Sequence, residues 1–157
     1  MPKIPKDTEV RVSPTFQHRL QELIADTETN NAGFANAVGI SKDVITRAVI
    51  YGIIPALRSL IKIADYLNIS IPYLLAENDE ANFYKSETPQ SFETRVKTLA
   101  SEKGVTLSGI AAVMPFAKNS FAEWFKKGTL PSLEYLKALA EYFQVSVDYL
   151  LGRTDDK

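Results

Sequence analysis

Apolar residues recur at helical intervals from Thr15 onward. Phe16, Leu20, Leu23 and Ile24 fall at i, i+4, i+7 and i+8, while Gln17, Arg19, Gln21 and Glu22 lie off that stripe, which predicts a first amphipathic helix. Thr27 to Asn30 interrupts it, and Thr29 or Asn30 can cap the next helix. The stretch from Asn31 to Gly52 then holds two short amphipathic runs that meet at Gly39. Phe34, Ala35 and Val38 on the first run, and Ile40, Ile45, Ala48 and Val49 on the second, form inner faces that let two helices pack at a steep angle. Ser41 can cap the second run, whose Lys42, Asp43, Thr46 and Arg47 face outward. Gly52 and Pro55 end it. A fourth helix follows with Leu57, Leu60, Ile61, Ala64 and Leu67 inside. A short fifth element, SIPYLL, has Ser70 as cap and Pro72 in the first turn, where proline is tolerated.

The pattern then returns. A shift of 76 positions, from Phe16 to Phe92, lays the second half of the chain on the first without a gap. Phe16, Arg19, Leu23, Gly33, Ala35, Lys42, Gly52, Pro55, Leu57, Leu60, Ala64, Tyr66, Ser70, Tyr73, Leu74 and Leu75 each fall on an identical residue. Identity near a quarter over about 60 ungapped residues identifies an internal duplication. The expected organisation is an arm at 1–14, a helical domain at 15–76, a linker at 77–91, a second domain at 92–153 and a tail at 154–157. The arm carries Pro2, Pro5 and Pro14 with mixed charges, and the linker is polar and acidic with Thr88-Pro89. The fold class is all-α, two tandem units of five short helices, each near the lower size limit for a self-sufficient core.

At TLSGIAAVMPFAKNSFAEWFKKGTLPSLEYLKALAEYFQVSVDYLLGRTD the second unit resembles the helix-turn-helix domain of phage repressors and Xre-like bacterial regulators, the lambda repressor and Cro-like family. Trp124, Gly128, Pro131, Leu136, Ala140, Val145, Ser146, Tyr149, Leu150, Leu151 and Gly152 carry the resemblance. The first unit is similar but more divergent, with Ala48 in place of Trp124 and Ala76 in place of Gly152. The resemblance implies that the third helix enters the DNA major groove by its N-terminal end, and that two half-sites are read by a homodimer or by the paired units of one chain. Carried over by position, the DNA-facing residues are Lys42, Asp43, Thr46 and Arg47 with the capping Ser41 in the first unit, and Lys118, Asn119, Ala122 and Glu123 in the second. The start of the second helix, at Asn31, meets phosphate, whereas the matching Leu107 cannot donate a hydrogen bond. Lys126 and Lys127 are expected to meet phosphate. Arg47 suits a guanine edge and Asn119 an adenine edge, while Lys42 or Lys118 can serve a base or a phosphate.

Two features depart from that pattern. Pro115 stands where the first unit has Gly39, so one turn ends its helix through positive φ and the other through a missing N–H that pushes Met114 out of the α region. The two turns are therefore expected to differ. Asp43 and Glu123 are repelled by phosphate unless they accept from a cytosine amino group, and read otherwise as solvated charges paired with Lys42 and Lys126. Phe116, Phe121, Trp124 and Phe125 fall at core spacing rather than forming a base-stacking platform.

Composition narrows the chemistry further. The 157 residues are 45% hydrophobic and 24% charged with a net charge of −1, which argues against a wholly basic surface and leaves room for a local basic face. There is no cysteine, and His18 is the one imidazole, so no disulfide, thiolate or His-dependent dyad is available. With no glycine-rich phosphate loop either, the chain offers no nucleophile and base pair, and neither an enzyme nor a cofactor is expected. No apolar run approaches a bilayer span and the N-terminus lacks a signal-peptide core, which fits a reducing, cytoplasmic setting without a membrane partner. No effector domain for a small molecule is evident. A sequence-specific regulator bound to double-stranded DNA, of phage-repressor type, is the leading expectation, and a protein-interaction module on the same scaffold is the alternative.

Overall fold

The computed structural model describes residues 11–157, which contain ten helices and two isolated antiparallel bridges. The chain divides into two compact units, one running to Asn82 and the other spanning Phe83–Lys157.

The first unit holds α1 (Pro14–Asp26), α2 (Asn31–Val38), α3 (Lys42–Tyr51), α4 (Leu57–Leu67) and α5 (Ile71–Leu74). Each start except that of α4 has a polar side chain that accepts from an otherwise unpaired N–H: Ser13 from Phe16, Asn30 from Gly33, Ser41 from Asp43 and Ser70 from Tyr73. α1 packs on α3 and α5, and α2 on α3 and α4. Phe16, Leu20, Phe34, Ile45, Leu60, Ile63, Ile71 and Leu74 are fully buried between them. Each such side chain contributes about 1.5–3 kcal/mol, so helix packing is the main source of stability. In α4 the buried stripe follows Leu57, Leu60, Ile63 and Ala64, and the expected Ile61 and Leu67 flank it half-buried. The helix is rotated so that Ile63 lies inward.

The expected N-terminal arm needs correction at its inner end. Residues 1–10 lie outside the described residues, but Arg11 to Ser13 is paired with the chain after α3. Val12 bridges Ile53, the Ser13 N–H donates to Gly52 O at 2.8 Å, and the Ile54 N–H donates to Arg11 O at 2.9 Å. α1 therefore starts at Pro14 rather than Thr15, with proline in the first turn where its missing N–H is harmless.

The second unit holds α6 (Phe92–Lys103), α7 (Leu107–Val113), α8 (Ser120–Lys127), α9 (Leu133–Phe143) and α10 (Val147–Leu150). Much of the stretch expected as a linker belongs to it. Lys85 bridges Thr154, the Ser86 N–H donates to Arg153 O at 2.9 Å, and the Thr154 hydroxyl donates to Tyr84 O at 2.7 Å. The Ser86 hydroxyl donates to Asp155 Oδ1 at 2.9 Å, and the Arg153 guanidinium lies 4.7 Å from the centroid of the Phe83 ring. The expected tail at 154–157 is likewise anchored, with the Ser146 N–H donating to Lys157 O at 3.1 Å. Polar composition at 83–91 conceals this strap because its hold is made by backbone groups and buried polar side chains rather than an apolar stripe.

Backbone geometry recurs at the same 76-residue spacing. Left-handed residues at Glu28, Gly52, Asn68 and Ala76 are matched by Gly104, Gly128, Gln144 and Gly152. A side-chain brace recurs too: Arg19 lies 4.1 Å from the Tyr73 ring centroid and 2.7 Å from Asp79, and Arg95 lies 4.0 Å from the Tyr149 ring centroid and 2.8 Å from Asp155. Both aspartates fall outside the stretches that the sequence aligns as domains.

Candidate nucleic-acid interface

In the first unit the turn between α2 and α3 is three residues long. Gly39 sits at φ 85°, a left-handed conformation that glycine adopts without strain, and Ser41 in the extended region starts α3. The inner face of α3 is held by buried Ile45 and Ala48, with Val44 and Val49 half-buried beside them. That leaves Lys42, Asp43 and Arg47 exposed on the first two turns, with Thr46 half-buried at their margin. Lys42 and Thr46, like Asp43 and Arg47, are four apart and so lie on neighbouring rows of one helix surface. The side chains of Lys42, Asp43 and Arg47 have no hydrogen-bond or ion-pair partner among the described residues. The expected pairing of Asp43 with Lys42 is thus not formed. Ser41 is exposed, and its hydroxyl accepts from the Asp43 N–H at 3.2 Å. Asn31 is the first residue of α2 and half-buried; the cap is Asn30.

The second unit differs as the Pro115 substitution requires. Met114 is extended at φ −100° and ψ 157°, and six residues, 114–119, connect α7 to α8. Lys118 and Asn119 consequently precede α8 instead of standing on its first turn. Asn119 occupies the cap position, but its side chain makes no capping bond. Ala122 and Glu123 are exposed on α8, as are Lys126 and Lys127 in its last turn, where cations favour the helix dipole. Glu123 pairs with Lys127 at 3.0 Å, not with Lys126 as expected, because the two are four residues apart on one face.

The aromatic residues of this unit are packed together. Phe116 lies within 5.2 Å of Phe121 and 4.9 Å of Trp124, centroid to centroid, in edge-on arrangements, and Tyr135 closes the group at 5.5 Å from Phe116. Phe92 of α6 meets both Trp124 and Phe125. These rings anchor α8 to the body of its unit and present no stacked platform to a base.

Two side chains placed outside the apolar stripe by sequence, Gln17 and Gln21, meet α3 in the structure. Gln17 Nε2 donates to Val49 O and Ile50 O, both at 2.9 Å, and Gln21 Nε2 donates to Val49 O at 2.8 Å. Helical periodicity cannot reveal such bonds, since it separates apolar from polar positions only. Lys62 of α4 adds a long contact, 3.5 Å, to the carbonyl of Gly39.

Among the described residues no group of three or more His, Asp or Glu side chains is placed to hold a metal ion, and no helix is long and apolar enough to cross a membrane. No family model and no solved structure matches the chain. Over 62 residues it is 36% identical to a curated protein of Bacillus subtilis (strain 168), the uncharacterized HTH-type transcriptional regulator YobD. The match covers 40% of this chain and 55% of YobD, so the chain spans about half the length of the curated relative it matches, and over that span it is similar to a helix-turn-helix transcriptional regulator.

Proposed function

We propose that the protein is a sequence-specific regulator of transcription that binds double-stranded DNA, a repressor of the phage or mobile-element type, with two helix-turn-helix units reading a two-part site. One observation carries the reading: Lys42, Asp43 and Arg47 stand exposed and unpaired with any described residue on the N-terminal half of a helix whose opposite face is buried at Ile45 and Ala48. A rigid helix with free polar side chains at its leading end is what major-groove reading requires. Arg47 donates two bonds to a guanine edge, Asp43 accepts from a cytosine amino group, and Lys42 serves a base or a phosphate. Asn31 and the capped end of α2 face phosphate. In the second unit Asn119 reads adenine, Ala122 meets a thymine methyl group, and Lys118 and Lys126 meet phosphate. Glu123 and Lys127, satisfied by each other, contribute less.

Two units in one chain make the second contact intramolecular, so a single molecule holds a site that either unit alone binds weakly. Neither an enzymatic step nor a small-molecule effector is invoked, and the regulator acts in the cytoplasm, with DNA.

Selection of bound duplexes from a random pool tests this, with affinity for the winner followed across salt concentration. The expected result is a motif with two unlike halves and a log–log salt slope of about −0.9 per phosphate contacted. Absence of enrichment at low salt overturns the proposal. A second reading, in which the second unit serves protein contacts, draws on the Glu123–Lys127 pair and on Val113 and Leu130, which are 66% and 40% exposed. It requires a recovered motif with one half only.

A further inference from the structure

The C-terminal end of α3 is held by α1. The last carbonyls of any helix lack partners within it, and here two glutamine amides supply them. Gln17 bridges Val49 O and Ile50 O, Gln21 also donates to Val49 O, and the Ser13 N–H donates to Gly52 O just beyond the helix. These directional bonds fix both the rotation of α3 about its axis and its position along it. Apolar contacts at Ile45 and Ala48 fix depth but tolerate small rotations. The corresponding positions of the second unit, Glu93 and Lys97, form an ion pair with each other at 2.7 Å. There α8 is held instead by the Phe92, Trp124 and Phe125 rings.

We infer that Gln17 and Gln21 are positioning residues for DNA reading by the first unit: their amides set the rotation of α3 and hence which base edges Arg47, Asp43 and Lys42 meet. The inference rests on the DNA-reading function proposed above. Phosphate contacts tolerate small rotations of a helix, whereas a bidentate base contact does not. Loss of the clamp therefore reduces discrimination between sequences more than it reduces attraction to DNA.

The test uses the full chain with Gln17→Met and Gln21→Met, singly and together; methionine keeps the length and apolar stem of glutamine but donates no bond. Circular dichroism establishes that each variant is folded at the assay temperature. The readouts are the ratio of affinities for the selected duplex and a scrambled one, the base preference at each position, and the salt slope. In the double variant the ratio falls about tenfold, the scale of one misaligned base contact, and preference flattens in one half-site while the salt slope is unchanged. The exposed single-bond variant Gln21→Met gives a smaller fall in the same half-site. It is the decisive variant if the double variant does not fold. Gln21→Lys, which retains a donor, restores the preference. Unchanged preference in folded Gln21→Met and Gln17→Met overturns the positioning role while the DNA-reading function stands. Failure of the unsubstituted protein to enrich any duplex overturns both.

Discussion

Replacement of Gly152 by alanine tests how the second unit is closed. Gly152 has φ +74°, and a Cβ built there would come 1.9 Å from the carbonyl oxygen of Gln90, with Gln90 N and C each at 3.0 Å. Those are backbone atoms of the strap, so no side-chain rotation relieves the overlap. The left-handed conformation by itself costs alanine about 1–2 kcal/mol. Relief requires the strap to lift, which breaks Ser86 N–H to Arg153 O, Thr154 Oγ1 to Tyr84 O and Ser86 Oγ to Asp155, at about 1 kcal/mol each. The expected loss is about 4–5 kcal/mol, the sum of about 1–2 for strain and about 3 for the bonds. Urea denaturation followed by fluorescence of Trp124, the single tryptophan, reads the unit in which the change is made. The first unit supplies the control. Ala76 holds the matching position at φ 59°, so Ala76→Gly, followed by circular dichroism of the full chain in urea, measures the strain of a side chain in that conformation, and is expected to stabilise by no more than about 1 kcal/mol. A loss of only about 1–2 kcal/mol in Gly152→Ala would refute the packing argument, since strain alone accounts for that much.

Three further outcomes follow from individual contacts. Asp155 accepts hydrogen bonds from Ser86 and Arg95, which together hold its pKa below the ordinary 3.8. Its stabilising contribution is therefore complete above pH about 4 and is lost as pH falls through the lowered folded-state value; in acid titrations monitored by Trp124, Asp155→Asn should flatten that limb. The pair of Asp148 with Arg153 is buried at both ends, so Asp148→Ala, which leaves the guanidinium without this carboxylate, should destabilise the second unit by about 3–5 kcal/mol in the same urea assay. Ser41→Ala removes the α3 cap and should lower stability by about 1 kcal/mol in calorimetry, because the hydroxyl accepts from the Asp43 N–H at the start of the helix.

The helices were legible because their causes are local. Apolar stripes at 3.6-residue spacing, serine, threonine and asparagine caps, and glycines past helix ends mark most of these elements; a capping side chain accepts a hydrogen bond at eight of the ten starts, all but those of α4 and α8, and α8 begins at Ser120 rather than Lys118. Even there, Pro115 in place of Gly39 signals a changed turn, since proline constrains the residue before it whatever the surroundings. The length of the altered connection is a different matter. Whether α8 resumes at Lys118 or at Ser120 depends on how Phe116 and Phe121 seat against Trp124 and Tyr135, and Tyr135 reaches them from another helix.

Contacts between residues far apart in sequence account for the rest. The strap at 83–91 looks like a linker because polar residues dominate it, yet Ser86 is buried by its bonds to Arg153 and Asp155 almost seventy residues away. Gln17 and Gln21 look like solvent-facing helix residues, yet they close on carbonyls of α3 some thirty positions on. Local periodicity and capping determine which segments become helices, because those preferences are decided within a few residues by backbone sterics and the burial of one face. Hydrogen bonds between distant polar groups form only once packing has brought their partners together. They decide where each unit ends and how the helix carrying Lys42 and Arg47 is aimed.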